Sequence, residues 1–334
     1  MLYLRDILGQ DQAIGQIRQA WQADRLPHGM IFAGAAGVGK GTTAQALATW
    51  FLCENPGKDD ACTKCRGCHL VASGTHPDYR VIYRQLIRLT KKDSKARDLS
   101  IDLIRDYLLE PAGRKALQGR GKVFIIEEAE TMTRDAANSM LKTLEEPLGR
   151  TLIILLTDSP HSLLPTILSR TQIIRFAQLP QDLVVKQLTA RGIDAQLAQY
   201  ASIMADGSLG LAARWIEDGV VERGIQLYQA IDQILANRPV EGLAAWFAES
   251  AGMYAAKQEE RDENVSKDQA TREATVLYFR LAADYLRQLL GRMNDPMLQL
   301  SACRMIDDLA QAQVYVEGNV NTNLVLENLA NRLR

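Results

Sequence analysis

The sequence has little of what marks membrane, secreted or strongly nucleic-acid-binding proteins. Its apolar runs, such as 123–126 and 152–156, are strand length, far short of the ~20 residues that a membrane span needs. The N-terminus, Met1-Leu2-Tyr3-Leu4-Arg5-Asp6, lacks the basic start and apolar stretch of a signal peptide, so a cytoplasmic chain is expected. No charge of one sign dominates. With 39 Lys and Arg against 40 Asp and Glu the net charge is −1, so any contact with nucleic acid has to be local or shared with partners. Cysteine is scarce: of five, four fall between positions 53 and 68, which excludes a secreted disulfide framework spread through a small domain. There is no internal repeat and no low-complexity tract. What is present is a globular composition, 47% hydrophobic and 24% charged, in 334 residues, enough for two or three domains.

Strand and helix patterns alternate over the first ~175 residues. Segments 29–33, 79–83, 123–126, 152–157 and 173–176 read as strands, and 10–23, 40–52, 101–109 and 134–144 as helices. Ser100 is a candidate N-cap. Continuously apolar strands alternating with helices predict an α/β fold with a parallel, doubly wound sheet. After Pro180 the strand signal stops. Three short helices are expected over 181–217, broken at Gly192 and Gly207, and the rest reads as helical, with Tyr278, Leu281, Tyr285 and Leu289 forming one apolar stripe. The charged stretch 258–273 reads as a solvated helix end or loop. The basic stretch 84–97 (Arg84, Arg88, Lys91, Lys92, Lys95, Arg97) reads first as a solvated loop, and otherwise as a DNA or partner contact.

Gly34-Ala35-Ala36-Gly37-Val38-Gly39-Lys40 follows a strand and opens a helix, the context of a phosphate loop. Gly34, Gly37 and Gly39 let backbone N–H groups converge on phosphate oxygens, and Lys40 reaches the terminal phosphates. The next residue should carry a hydroxyl for Mg²⁺; here it is Gly41. Thr42 lies one helical step, about 100°, out of position. Where a strand in such a fold normally ends in Asp-Glu, this one ends in Glu127-Glu128, whose first side chain is a methylene too long. ATP or ADP binding stays open to this loop; hydrolysis is not expected.

Cys53-x₈-Cys62-x₂-Cys65-x₂-Cys68 supplies four thiolates in a turn-rich stretch. Such a set suits tetrahedral, structural Zn²⁺. An iron–sulfur cluster can use the same ligands, and free or disulfide-forming cysteines are the remaining readings. His69 reads as a surface residue, and Cys303 as a small buried hydrophobe. Arg170, in Pro165-Thr166-Ile167-Leu168-Ser169-Arg170, reads from sequence alone as a surface arginine or half of a weak salt bridge; the alternative is an arginine finger reaching a neighbouring subunit.

Taken together, these segments resemble the bacterial DNA polymerase III clamp-loader subunits, an AAA+ family, and most closely the delta-prime branch. The match is carried by Leu26-Pro27-His28, the glycine loop, the four cysteines, Gly74-Thr75-His76-Pro77-Asp78, Ala136-Ala137-Asn138-Ser139-Met140-Leu141-Lys142-Thr143-Leu144-Glu145-Glu146-Pro147 and Ile167-Leu168-Ser169-Arg170. The resemblance implies a RecA-like domain over 1–176 with a zinc module inserted at about 53–68. It further implies a three-helix lid over 177–219 and a helical collar over 220–334. Gamma/tau-like ATPase chains keep Ser or Thr after the loop lysine and an arginine after Gly-Ser in the lid; this chain has Gly41, and Gly207-Ser208-Leu209-Gly210. The family's Ser-Arg-Cys motif stands here as Ser169-Arg170-Thr171. By resemblance, Arg170 acts in trans on the ATP of an adjacent gamma/tau subunit, within a polymerase holoenzyme. Gamma/tau, the delta subunit, the sliding clamp and primer–template DNA are the implied partners. Two other readings compete. One is an active ATPase using Lys40 with Glu127 and Glu128; the other is a zinc-dependent nucleic-acid-binding protein.

Overall fold

The computed structural model describes residues 3–90, 98–118, 120–261 and 266–333. The chain forms two compact units, Met1–Pro180 with Gly207–Leu211, and Gln181–Asp206 with Ala212–Arg334.

The first unit is built on the expected parallel sheet. Its strands are β1 (Gly29–Ala33), β2 (Tyr79–Ile82), β3 (Lys122–Ile126), β4 (Thr151–Thr157) and β5 (Gln172–Arg175), in the order β2-β3-β4-β1-β5. The register pairs Met30 with Ile154 and Phe32 with Leu156. The period of two then sorts every strand between two cores. Met30, Phe32, Val123, Ile125, Leu152, Ile154 and Leu156 point into one, while Ile31, Phe124, Ile126, Ile153 and Leu155 point into the other. Burial on both faces is why these strands read as unbroken apolar runs. Helices α1 (Asp11–Gln22), α2 (Lys40–Leu52) and α3 (Arg66–Ala72) belong to this unit. Ser100 caps the helix at Ile101–Ile104, its hydroxyl accepting from the Leu103 N–H, and the chain continues through a widened π turn over Arg105–Leu109. The expected helix over 134–144 is two pieces, Arg134–Ser139 and Leu141–Glu145.

The three short helices expected over 181–217 are present as Gln181–Ala190, Ala195–Met204 and Leu209–Glu217, the last counted with the second unit from Ala212 on. They are followed by Val220–Leu235, Leu243–Arg261, Lys267–Leu290, Pro296–Glu317 and Thr322–Arg332. Edge-on aromatic pairs, Phe247 with Phe279 and Trp246 with Tyr278, tie two of the long helices together. Tyr278 and Leu281 of the expected stripe are buried, whereas Tyr285 and Leu289 are half-buried. Cys303 is a correction: it is exposed, because Ala302, Met305 and Leu309 form the inward row of its helix. The charged stretch 258–273 spans the end of one helix at Arg261 and the start of the next at Lys267; residues 262–265 lie outside the described residues, as do 91–97 of the basic stretch. Among the described residues no helix is long and apolar enough to cross a membrane.

Leu155, fully buried at the centre of β4, tests the two-faced sheet. Leu155→Ala should lower the stability of the first unit by about 2–5 kcal/mol in denaturant unfolding.

Candidate phosphate loop and metal centre

The glycine loop leaves the C-terminal end of β1, flanked by β4 and β5. In open parallel sheets ligands bind beyond the carboxyl ends of the strands, where the connections diverge. Three loop positions require glycine, and at Gly34 a Cβ would lie 2.5 Å from the Phe176 carbonyl oxygen. Gly37 and Gly39 have φ of 72° and 103°, the left-handed region. A Cβ at Gly37 would also lie 2.2 Å from the Ser208 hydroxyl oxygen. Lys40, the first residue of α2, donates to the Gly34 carbonyl and to the Ala35 carbonyl (2.8 Å). Burial lowers its pKa, while the Asp158 and Glu130 carboxylates oppose that shift.

No hydroxyl replaces the one missing at Gly41. Thr42 is exposed, and the Thr43 hydroxyl donates to the Gly39 carbonyl at 2.8 Å. A Cβ at Gly41 would meet nothing closer than a Leu156 methyl carbon at 3.8 Å, so the position has room for a side chain it does not carry. Gly210 differs: a Cβ there would lie 3.1 Å from the Gly37 carbonyl oxygen, so the backbone approach is tight.

Of the expected acidic pair after β3, Glu128 is engaged. Glu128 stands at φ 49° and takes a two-pronged ion pair from Arg84, with Nε at 2.5 Å and a terminal nitrogen at 2.9 Å. Sequence reasoning did not single out Glu130 and Asp158. Burial pushes the Glu130 carboxyl up, the Thr157 hydroxyl partly offsets this, and Asp158 adds to it. A signal existed: Asp158 directly follows β4, which pairs with β1, so it falls beside the loop once strand order is known.

Arg170 follows the short helix Pro165–Leu168. Its Nε donates to a Glu145 carboxylate oxygen at 2.5 Å, and a terminal nitrogen donates to the Thr166 carbonyl at 3.1 Å. This is the salt-bridge geometry of the bland reading, in a half-exposed side chain.

The four cysteines converge. α2 ends directly before Cys53, and Cys65 is the N-cap of α3, its sulfur 3.4 Å from the Cys68 N–H. Thr63, between two of the ligands, adopts a left-handed φ of 56° that turns the chain back. All four sulfurs lie within 4.8 Å of one another, with separations of 3.4, 3.9 and 4.0 Å for three pairs. A tetrahedral thiolate site with bonds of about 2.3 Å has edges of about 3.8 Å, so the set fits a four-thiolate ion. The N–H groups of Glu54 and Cys62 also point at these sulfurs, at 3.4 and 3.3 Å. Donors aimed at sulfur favour the thiolate. The Lys64 N–H is the largest influence drawing the Cys62 thiol down to about 6, whereas burial pushes Cys53 and Cys68 up. His69 is exposed, as expected, and not among the converging groups.

A family model described as DNA polymerase III, delta subunit, matches residues 9–180. The chain belongs to the delta-prime family of DNA polymerase III subunits. It is 33% identical over 211 residues to DNA polymerase III subunit delta' of Pseudomonas aeruginosa, a match covering 62% of this chain and 61% of that protein. With subunit delta' of Bacillus subtilis it shares 31% over 215 residues, 64% of this chain and 62% of the relative. With subunit tau of Bacillus subtilis it shares 28% over 226 residues, 68% of this chain and 37% of the relative. The chain thus spans about three fifths of the length of the delta' relatives it matches. Its five-stranded parallel sheet and helical remainder are the α/β fold that the resemblance implied.

The sulfur geometry is open to a direct check. Co²⁺ added to the reduced chain should give the visible bands of a tetrahedral thiolate site, and Cys68→Ser should weaken them.

Proposed function

We propose that this chain is a clamp-loader subunit that does not hydrolyse ATP itself and completes the ATP site of a neighbouring gamma/tau-type subunit with Arg170. The observation that carries the reading is the state of its own loop. The glycine conformations and Lys40 are in place, yet Gly41 supplies no hydroxyl, Thr42 is exposed and the Thr43 hydroxyl is bonded to Gly39. Glu128 is paired with Arg84, which supports the same conclusion. A loop of this kind holds phosphate through backbone N–H groups and a helix N-terminus, without assembling metal and water for hydrolysis.

Arg170 suits the role in trans. Its side chain is half-exposed, and its partner Glu145 is more so. Such a pair is worth about 0–1 kcal/mol, so the guanidinium is released to a phosphate at small cost. Similarity to a tau subunit supports gamma/tau as the neighbour. The delta subunit, the sliding clamp and primer–template DNA complete the proposed assembly, and the cytoplasm is its proposed place. In this reading residues 1–176 form the RecA-like domain, 177–219 the lid and 220–334 the collar.

Cys53, Cys62, Cys65 and Cys68 hold Zn²⁺ in the same proposal. The four-thiolate donor set and its edge lengths favour zinc, which would fix the fold of this segment and take no part in catalysis.

Arg170→Ala should leave assembly of a reconstituted loader intact and lower DNA-stimulated ATP turnover about 10-fold or more at the site that it completes. Unchanged turnover by the mutant complex would sink the proposal.

A further inference from the structure

Residues 3–10 run between the cysteine cluster and the glycine loop. At the cluster end, the Thr63 hydroxyl donates to the Cys62 carbonyl at 2.8 Å, so its oxygen is left to accept from the Tyr3 hydroxyl at 2.7 Å. Burial pushes the Asp60 carboxyl up, and the N–H groups of Ala61, Arg5 and Leu4 partly offset this. Leu4 is fully buried in a core cluster that holds both Cys53 and Val38. At the loop end, a Cβ on Gly39 would meet an Ile7 methyl carbon at 3.7 Å. The Gln10 side chain, 2% exposed, donates to the Val38 carbonyl at 3.1 Å and the Ala177 carbonyl at 2.7 Å, and accepts from the Ala177 N–H at 3.0 Å.

We propose that residues 3–10 are a strap through which metal binding at the four cysteines holds the glycine loop in its phosphate-ready conformation. One end grips the turn between two metal ligands, and the other grips a loop carbonyl between Gly37 and Gly39. The ion closes the turn that presents Thr63. Without it four thiols have no common partner, the Thr63 anchor shifts, and Ile7 and Gln10 lose their fixed position under the loop. Linkage makes the effect reciprocal: a phosphate group that orders the loop tightens metal binding. The proposal rests on the metal reading above, and it does not require the loop to hydrolyse anything.

Hydrogen exchange on the full chain, with zinc and after its removal by a chelator, tests the strap. Metal analysis shows whether one zinc is bound. Removing zinc should speed exchange of the amides of 35–42 about 5-fold or more relative to the amides of β4. Tyr3→Phe cuts the strap at the cluster and Gln10→Ala cuts it at the loop. Both variants should retain zinc, and in each the loop's response to zinc should fall to about half or less. A chain that binds no zinc overturns both the metal reading and the strap. Zinc bound to a chain whose loop is indifferent to it, or whose loop and β4 respond alike, overturns the strap alone. So does an undiminished response in either variant, because α2 then suffices to join the two sites.

Discussion

β1 enters the sheet between β4 and β5, and the positions of the candidate sites follow from that pairing. With Ala33 opposite Thr157, the chain leaving β1 is set beside Asp158. On the other side β5 carries the chain on to Ala177, whose backbone Gln10 grips from below the loop. Backbone hydrogen bonds between strands therefore bring together residues 10, 40, 158 and 177, which no local pattern connects.

The loop that results is well formed and incomplete. Its glycines hold conformations that other residues avoid, and its lysine is half-buried with two carbonyl partners. What it lacks is chemical: a hydroxyl at 41 and an unengaged acid at 128. The two glycines at 41 and 210 differ physically. Position 41 is open to solvent and leaves room for a side chain, whereas position 210 lies hard against the loop backbone at Gly37. The former is a missing group. The latter is a close approach of two backbones, at which a side chain would require the loop carbonyl to give by a few tenths of an ångström.

The cysteine cluster belongs to the same core. Cys53 and Cys68 are buried among residues that pack against α1, α2 and the sheet. Arg18 and Gln22 of α1 bond Asp59, and the indole N–H of Trp50 bonds the Gly57 carbonyl. The cysteine-bearing segment is thus joined to the α/β core on several sides.

Much of this was legible in the sequence, because the features concerned are local. The unbroken apolar runs at 123–126 and 152–157, the glycine spacing of the loop and the Cys-x₂-Cys-x₂-Cys pattern each carry their meaning within a dozen residues. Their strands, loop and cluster appear where the patterns put them. The missing hydroxyl at Gly41 was legible for the same reason. The sequence misled at Cys303, where an apolar helix has an outward row as well as an inward one. Only the tertiary structure decided that Arg84 pairs with Glu128, that Arg170 rests on Glu145, and that Glu130 and Asp158 come within electrostatic range of Lys40. It alone joined residues 3–10 to both the loop and the cysteines. Residues 25 to 167 positions apart in the chain meet in these contacts. Periodicity determines which face a residue takes; the order of strands in the sheet determines what it faces.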